Sequence, residues 1–399
     1  MPTMESPQEA KAPKNRRWRS LLAAGVLLAG GILAGTWFVG RSNWRDLERD
    51  LPRIGTIDFY GLRTVTEQQV RDKLNIREGD AIPVDIEDIN VPMKIQRWLS
   101  GSKPVEIRRD VEDRLKQIPG VARAALEMGL GAGSSKASLF VGIEEGDAPR
   151  FDYRPLPRGS AALPNSMTAA YDQHISALET ALAKGDKSLD EDDSQGHALS
   201  SDPVMRAQEE KAIAFDASNL ALVRTVLKDS ADATQRAVAA WIMGYAPDKR
   251  AILGDLIDAA RDPDDTVRNN ATRAIGVIAE FASDRPELGI RIDPSPFVDM
   301  LNSLTWTDRN KATMVLSGLT ENRSAEALRQ LRERALPSLT EMARWNDSHS
   351  RDGLELLGRI AGLDEKDIQS AWDRGERERI IAMATANTNY AASESRPGH

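Results

Sequence analysis

A set of three residues recurs at nearly constant spacing along the second half of the chain. Arg236, Ala239 and Gly244 return with the same residue types 32 residues later, and return in modified form 41 and 82 residues beyond that. Small residues at fixed offsets allow helices to stack closely, and repeats of this length are typical of paired helices. The pattern predicts four helix pairs, with first helices at 220–227, 251–260, 297–304 and 336–345.

The best-defined copy of this pattern runs from Asp262 to Gly276 and is similar to the HEAT-repeat consensus. Pro263 ends one helix, and Asp264 or Asp265 caps the next. The resemblance covers about 217–363 and implies that residues 203–384 form an all-α, HEAT-like solenoid. Four pairs exceed the minimum of about three that a stable stack needs.

Residues 53–146 predict a small α+β domain ahead of the repeats. Thr56 to Tyr60 alternate in polarity and stop at Gly61, as a strand and a turn do. Two short helices follow, and two further strand candidates, 121–127 and 137–144, flank a glycine-rich loop. Two helices on one face of a three-stranded sheet would close a core of this size.

The same region resembles a POTRA domain, the polypeptide-transport-associated fold. The resemblance lies in Ile57-x-Phe59-x-Gly61, in the helix after Thr66, and in the Ile118-Pro119-Gly120 segment that ends the second helix. It implies that a protein partner adds a strand to an exposed sheet edge. The candidate partner-binding residues on that edge are Val121, Ala122, Arg123, Ala124, Ala125 and Leu126. The alternative is an edge that stays hydrated or is capped by the insertion at 85–104.

The first 40 residues carry a membrane-anchor pattern. Ser20 to Gly40 contains 21 residues without a charge, and a helix of that length spans roughly 30 Å, about one hydrocarbon core. Basic residues precede it, which favours a cytoplasmic tail at 1–19 and a periplasmic remainder. We therefore expect an inner-membrane protein with one transmembrane helix at 20–40. The alternative is a cleaved signal peptide, which would leave a soluble periplasmic protein.

Two further segments are too polar or too interrupted to predict packed structure. Residues 147–202 are predicted to be a linker that contains a helix near 166–183, and residues 385–399 to be a disordered tail.

The composition indicates little chemistry. The chain has no cysteine, four scattered histidines and a formal net charge of −8, so thiolate sites are excluded and nucleic-acid binding is not expected. No catalytic residue, metal, cofactor or small-molecule substrate is predicted. Arg236, Arg268 and Arg309 form a row that we take as candidate partner-binding residues, because such a stripe binds anionic groups. The alternative is a ladder that pairs them with aspartates of adjacent repeats.

The sequence therefore predicts a non-enzymatic cell-envelope adaptor that binds protein partners through the small domain and the repeat surface. An enzyme-associated, lyase-like role is the alternative, because similar HEAT repeats occur in bilin lyases. That role requires convergent titratable groups in the repeat groove.

Overall fold

The computed structural model describes residues 51–85, 105–130, 136–183 and 190–394, together with residue 49. The predicted cytoplasmic tail and anchor, 1–40, lie outside these residues, as do most of the insertion and residues 395–399. Within the described ranges, no helix combines the length and the hydrophobicity needed to cross a membrane.

The first described domain is small and mixed, with the predicted order of strand, helix, helix, strand, strand. Its elements are β1 (Arg53–Tyr60), α1 (Glu67–Leu74), α2 (Arg108–Leu115), β2 (Val121–Leu130) and β3 (Lys136–Glu145). β3 is the central strand, parallel to β1 and antiparallel to β2. Ile57, Leu126 and Leu139 project from the sheet into a core with Val70 and Leu115 of the two helices. The helices therefore cover one face of the sheet.

The rest of the chain is mostly helical and forms a repeat solenoid. A helix and a short hairpin come first: α3 (Asn165–Ala183), β4 (Glu191–Asp192) and β5 (Leu199–Ser200). The stacked helices follow: α4 (Pro203–Asp229), α5 (Ala233–Gly244), α6 (Lys249–Ala259), α7 (Asp265–Asp284), α8 (Ser295–Met300), α9 (Trp306–Thr320), α10 (Ala325–Arg334), α11 (Leu336–Arg344), α12 (Ser350–Ile360), α13 (Glu365–Asp373) and α14 (Arg377–Glu394). The second helices of the pairs, α5, α7, α9 and α12, pack against one another in sequence.

Aspartate side chains begin five of these helices. Asp202, Asp232, Asp248, Asp264 and Asp364 each accept hydrogen bonds from N–H groups in the first turn, which no intrahelical carbonyl can satisfy. Helix α4 is interrupted at Asn219, whose φ of −138° and ψ of 18° are not helical. The predicted first helix at 220–227 is therefore the second half of α4.

The structure differs from the sequence predictions in three places. Residues 147–164, predicted as part of a linker, are packed along the repeats: Phe151 and Leu163 are buried, and the Gly159 N–H donates to the Asp229 carbonyl at 2.6 Å. The prolines prevent regular structure there, but the turns between helices supply partners for the extended backbone. Helix α10 is not predicted, and α14 continues to Glu394 although a disordered tail is predicted from 385.

Candidate functional site

The second face of the small sheet is docked on the repeats. Phe140, which points away from α1 and α2, stacks on Trp306 with ring centroids 4.3 Å apart and meets the edge of Trp345 at 5.3 Å. Tyr60 lies beside Trp345, and its hydroxyl donates to the Leu304 carbonyl at 2.7 Å. All four rings are buried. Aromatic contacts of this kind add to the stabilisation from area burial, so the sheet is a shared layer of both domains.

Carboxylates frame this aromatic contact. Asp58 of β1 accepts hydrogen bonds from the backbone N–H groups of Asn346 and Asp347, at 2.7 and 3.1 Å. Glu127 of β2 accepts from the N–H groups of Trp306 and Thr307, at 2.9 and 3.3 Å. The side chain before α9, Thr305, makes no cap of its own. The small domain therefore supplies the N-terminal cap of a repeat helix.

The predicted partner-binding strand, Val121 to Leu126, lies within β2, at the edge of the sheet with β3 as its strand neighbour. Ala122 and Arg123 are exposed, whereas Ala124 and Leu126 are buried against the helices. The outward Leu126 N–H donates to the Glu112 carboxylate of α2 at 3.0 Å. One backbone donor of the edge is therefore already engaged by the chain's own second helix.

The arginine row lies inside the protein. Arg236 makes a bidentate pair with Asp262, at 2.9 and 2.8 Å, and Arg268 donates to Asp308 at 2.8 Å; all four side chains are buried. These pairs join successive repeats, as the ladder alternative predicts.

Arg309 is also buried, and its Nε–H donates to the Ser303 carbonyl at 2.7 Å, just before α9. Its other contacts come from elsewhere in the fold. Its nearest carboxylate is Glu341 at 3.6 Å, and its guanidinium lies 4.7 Å from the Tyr60 ring centroid. As candidates for partner binding, Arg236, Arg268 and Arg309 are therefore corrected: each is buried in the fold and not available to a partner at the surface.

Buried titratable side chains outside the residues predicted from the sequence line the row of second helices. Lys311 of α9 is buried and lies in the field of Arg273, Glu191 and Asp352. Burial lowers the pKa of Lys311 to about 7, and burial raises the pKa of Asp352 to about 6. Strongly perturbed groups mark candidate sites, although structural networks perturb pKa values too.

A second buried group lies where α3 and the hairpin cover α4 to α7. His174 Nδ1 is 3.6 Å from Glu209 Oε1, too far for a hydrogen bond. Burial lowers the pKa of His174 to about 4 and raises the pKa of Glu209 to about 7. The spacing of residues in the sequence indicates this buried group. Positions 205, 209, 212 and 216 lie on one face of α4, so Glu209 and Asp216 fall on the buried face of that helix.

A serine, an aspartate and a histidine meet at the domain interface, but not in the order of a catalytic triad. Ser138 donates its hydroxyl hydrogen to Asp347, and His349 Nδ1 contacts the other oxygen of the same carboxylate. Burial acts to raise the pKa of Asp347, but these hydrogen bonds prevail and lower it to about 2. The Asp347 carboxylate is therefore too weak a base to activate the Ser138 hydroxyl. A catalytic triad also needs the histidine next to the hydroxyl, whereas here the aspartate lies between them. Across the described ranges, no group of three or more acidic or histidine side chains is arranged to hold a metal.

Comparisons with known proteins add little to this geometry. No family model matches the chain, and no curated protein matches it. A designed armadillo repeat protein in complex with the peptide (KR)4 aligns over 59% of this chain and 94% of its own, at 15% identity and a TM-score of 0.33. An engineered protein aligns over 57% and 98%, at 17% identity and a TM-score of 0.34. Scores at this level establish neither a shared topology nor a shared function.

Proposed function

We propose that the protein is a non-enzymatic scaffold of the cell envelope, anchored in the inner membrane by residues 20–40, that binds protein partners on the periplasmic side. Partners are bound in two places: at the β2 edge of the small, POTRA-like domain and on the surface of the repeats.

The observation that carries this proposal is the rigid attachment of the small domain to the solenoid. Phe140 is held between Trp306 and Trp345, and Glu127 caps α9. A domain fixed in this way presents its outer sheet edge at a constant position relative to the repeats. Two surfaces in fixed relation suit a scaffold, because binding loses less entropy when the sites are already positioned.

The backbone of β2 supports strand addition. In an antiparallel pair, alternate residues direct their N–H and C=O groups away from the partner strand. The Leu126 N–H points outward, as its bond to Glu112 shows, so the backbone groups of Ala124 and Met128 point to the same side. An extended peptide would find a short ladder there once the Leu126 N–H exchanges the Glu112 carboxylate for the peptide.

The absence of cysteine from the chain allows a clean crosslinking experiment. A single cysteine is introduced in the full chain at Ala122 on the edge strand, at Arg329 on the repeats, or at Glu67 on α1 as a control; all three are exposed. Each variant carries a thiol-linked photocrosslinker in membranes, and captured proteins are identified by mass spectrometry. We expect a specific protein at A122C or R329C and none at E67C.

Capture at A122C alone places recognition on the sheet edge, and capture at R329C alone places it on the repeats. Identical protein sets at all three positions would contradict a specific scaffold. The same E67C variant tests location: a membrane-impermeant maleimide added to spheroplasts should label it. Protection until the membrane is lysed would contradict the periplasmic assignment.

A further inference from the structure

The extended segment ahead of α3 is attached to the repeats on both sides of a short stretch rich in proline. On the N-terminal side, the Arg154 N–H donates to the Arg261 carbonyl at 2.6 Å, and the Arg154 guanidinium donates to two aspartates of the repeats. On the C-terminal side, the Gly159 N–H donates to the Asp229 carbonyl at 2.6 Å. The four residues between these attachments, 155–158, are therefore held at both ends, and we call them the proline segment.

The backbone of the proline segment is extended. Its sequence is Pro155-Leu156-Pro157-Arg158, and none of it belongs to a helix, strand or turn. Each proline ring fixes its own φ at about −65°, and the residue before a proline is confined to extended conformations. Leu156 lies between two such restraints, so the stretch is restricted to polyproline II and neighbouring extended conformations before any partner binds.

Most of the proline segment is exposed. Leu156 is 63% exposed, the largest exposed fraction among the large hydrophobic residues that the structure describes, and Pro155 and Arg158 are exposed too. Within the described ranges Arg158 makes no hydrogen bond or ion pair. A single exposed leucine is ordinary on a protein surface. Here, however, the leucine lies between two prolines and beside an unpaired cation, on a backbone that is attached at both ends.

We propose that the proline segment is a docking site for a partner protein that binds it in a shallow groove lined by aromatic side chains, with a carboxylate where Arg158 lies. Such grooves bind polyproline II segments because proline rings and the aliphatic side chain between them pack against aromatic faces. The carboxylate follows from charge complementarity, since Arg158 has no acidic partner of its own in the described part of the chain. Attachment at both ends lowers the entropy that the segment loses on binding. This third binding place depends neither on the β2 edge nor on the repeat surface.

Photocrosslinking in cell lysate identifies the partner. A photoreactive amino acid replaces Ser160 in the full chain, because Ser160 is exposed and close to the proline segment, and residues 155–158 stay intact. An excess of unlabelled full chain should suppress capture of the partner, whereas the same excess of unlabelled L156A should not.

Isothermal titration calorimetry of the captured protein with the full chain then tests how the segment is recognised. L156A should weaken binding about tenfold, since the contact of the leucine with the aromatic groove is lost. R158E should weaken binding most at low salt, because ions screen the pair of Arg158 with a carboxylate. V204A is the matched control: Val204 is 54% exposed at the start of α4, and its truncation should leave the affinity unchanged. The urea midpoint of L156A should equal that of the wild type, which separates lost recognition from lost folding.

Three outcomes of these experiments would overturn the proposal: no capture from Ser160, capture that unlabelled L156A suppresses as well as the wild type does, or equal affinities of L156A and the wild type. An affinity loss in V204A as large as that in L156A would also overturn it, because the partner would then recognise exposed aliphatic surface in general. So would binding of the full chain to phosphatidylglycerol vesicles that R158E abolishes, with no protein captured, since the segment would then contact a membrane surface.

Discussion

Arg236 illustrates how a single side chain holds two repeats together. It is fully buried, and its partner Asp262 also accepts hydrogen bonds from Arg154. R236M keeps much of the side-chain length but leaves the buried Asp262 carboxylate with one cation. We expect the free energy of unfolding to fall by about 3–5 kcal/mol, measured by urea denaturation at pH 7.

Arg329 on α10 provides the matched control, because it pairs with Glu326 and Glu333 in exposed positions. R329M should leave the urea midpoint nearly unchanged, since solvent screens such pairs. Similar losses in R236M and R329M would contradict a ladder whose strength depends on burial.

Glu127 couples stability to pH. Burial raises its pKa from 4.5 to about 8, so between these values the folded protein holds a proton that the unfolded chain has released. This contribution to stability is complete below about pH 4.5 and is lost as the pH rises through 8.

E127Q keeps an acceptor for the Trp306 N–H but does not titrate. Its free energy of unfolding should match that of the wild type near pH 5 and exceed it at pH 9, on the order of a few kcal/mol. A difference that stays constant across urea titrations from pH 5 to 9 would refute the raised pKa.

At the scale of elements, the hairpin β4–β5 depends on Gly196. Its φ is +75°, and a Cβ there would lie 2.9 Å from Phe281 Cδ1 and 3.0 Å from Lys249 Cε. G196A should therefore lower the free energy of unfolding by about 1–3 kcal/mol, measured by urea denaturation. G254A is a control of opposite sign: Gly254 lies inside α6 with open space at its Cβ, so alanine should stabilise the protein by up to about 1 kcal/mol. Destabilisation by both changes would show that the turn conformation is not the cause.

Local signals account for the elements that the sequence predicted. Aspartate caps and the 3.6-residue period mark the helix pairs, and period-two alternation marks β1. Alternation also shows that Phe140 and Leu139 face opposite sides of β3, but not what covers the second side. That side is covered by Trp306 and Trp345, more than 150 residues along the chain. Long-range contacts of this kind leave no local pattern. For the same reason the repeat motif alone does not distinguish a row of binding arginines from arginines that form buried ion pairs between stacked helices.

For the whole molecule, the shared sheet predicts cooperative unfolding. The small domain cannot leave the repeats without exposing Phe140, Trp306 and Trp345 to water, and α9 would lose its Glu127 cap. Differential scanning calorimetry of the described region, residues 49–394, should therefore give one transition, with equal calorimetric and van't Hoff enthalpies. F140A removes the ring between the tryptophans, costs about 3–5 kcal/mol, and should split the transition in two.

Phe59 is the matched control for this loss of coupling, because it lies on the other face of the sheet, packed against the core formed with α1 and α2. F59A should lower the transition temperature while the transition stays single, since the interface with the repeats is intact. Two transitions in the wild type would contradict the shared layer. Two transitions in F59A as well as F140A would mean that the small domain's own stability, and not its docking, sets the cooperativity. The expected pattern, a split in F140A alone, would assign the coupling between the small domain and the repeats to the face of the sheet that carries Phe140.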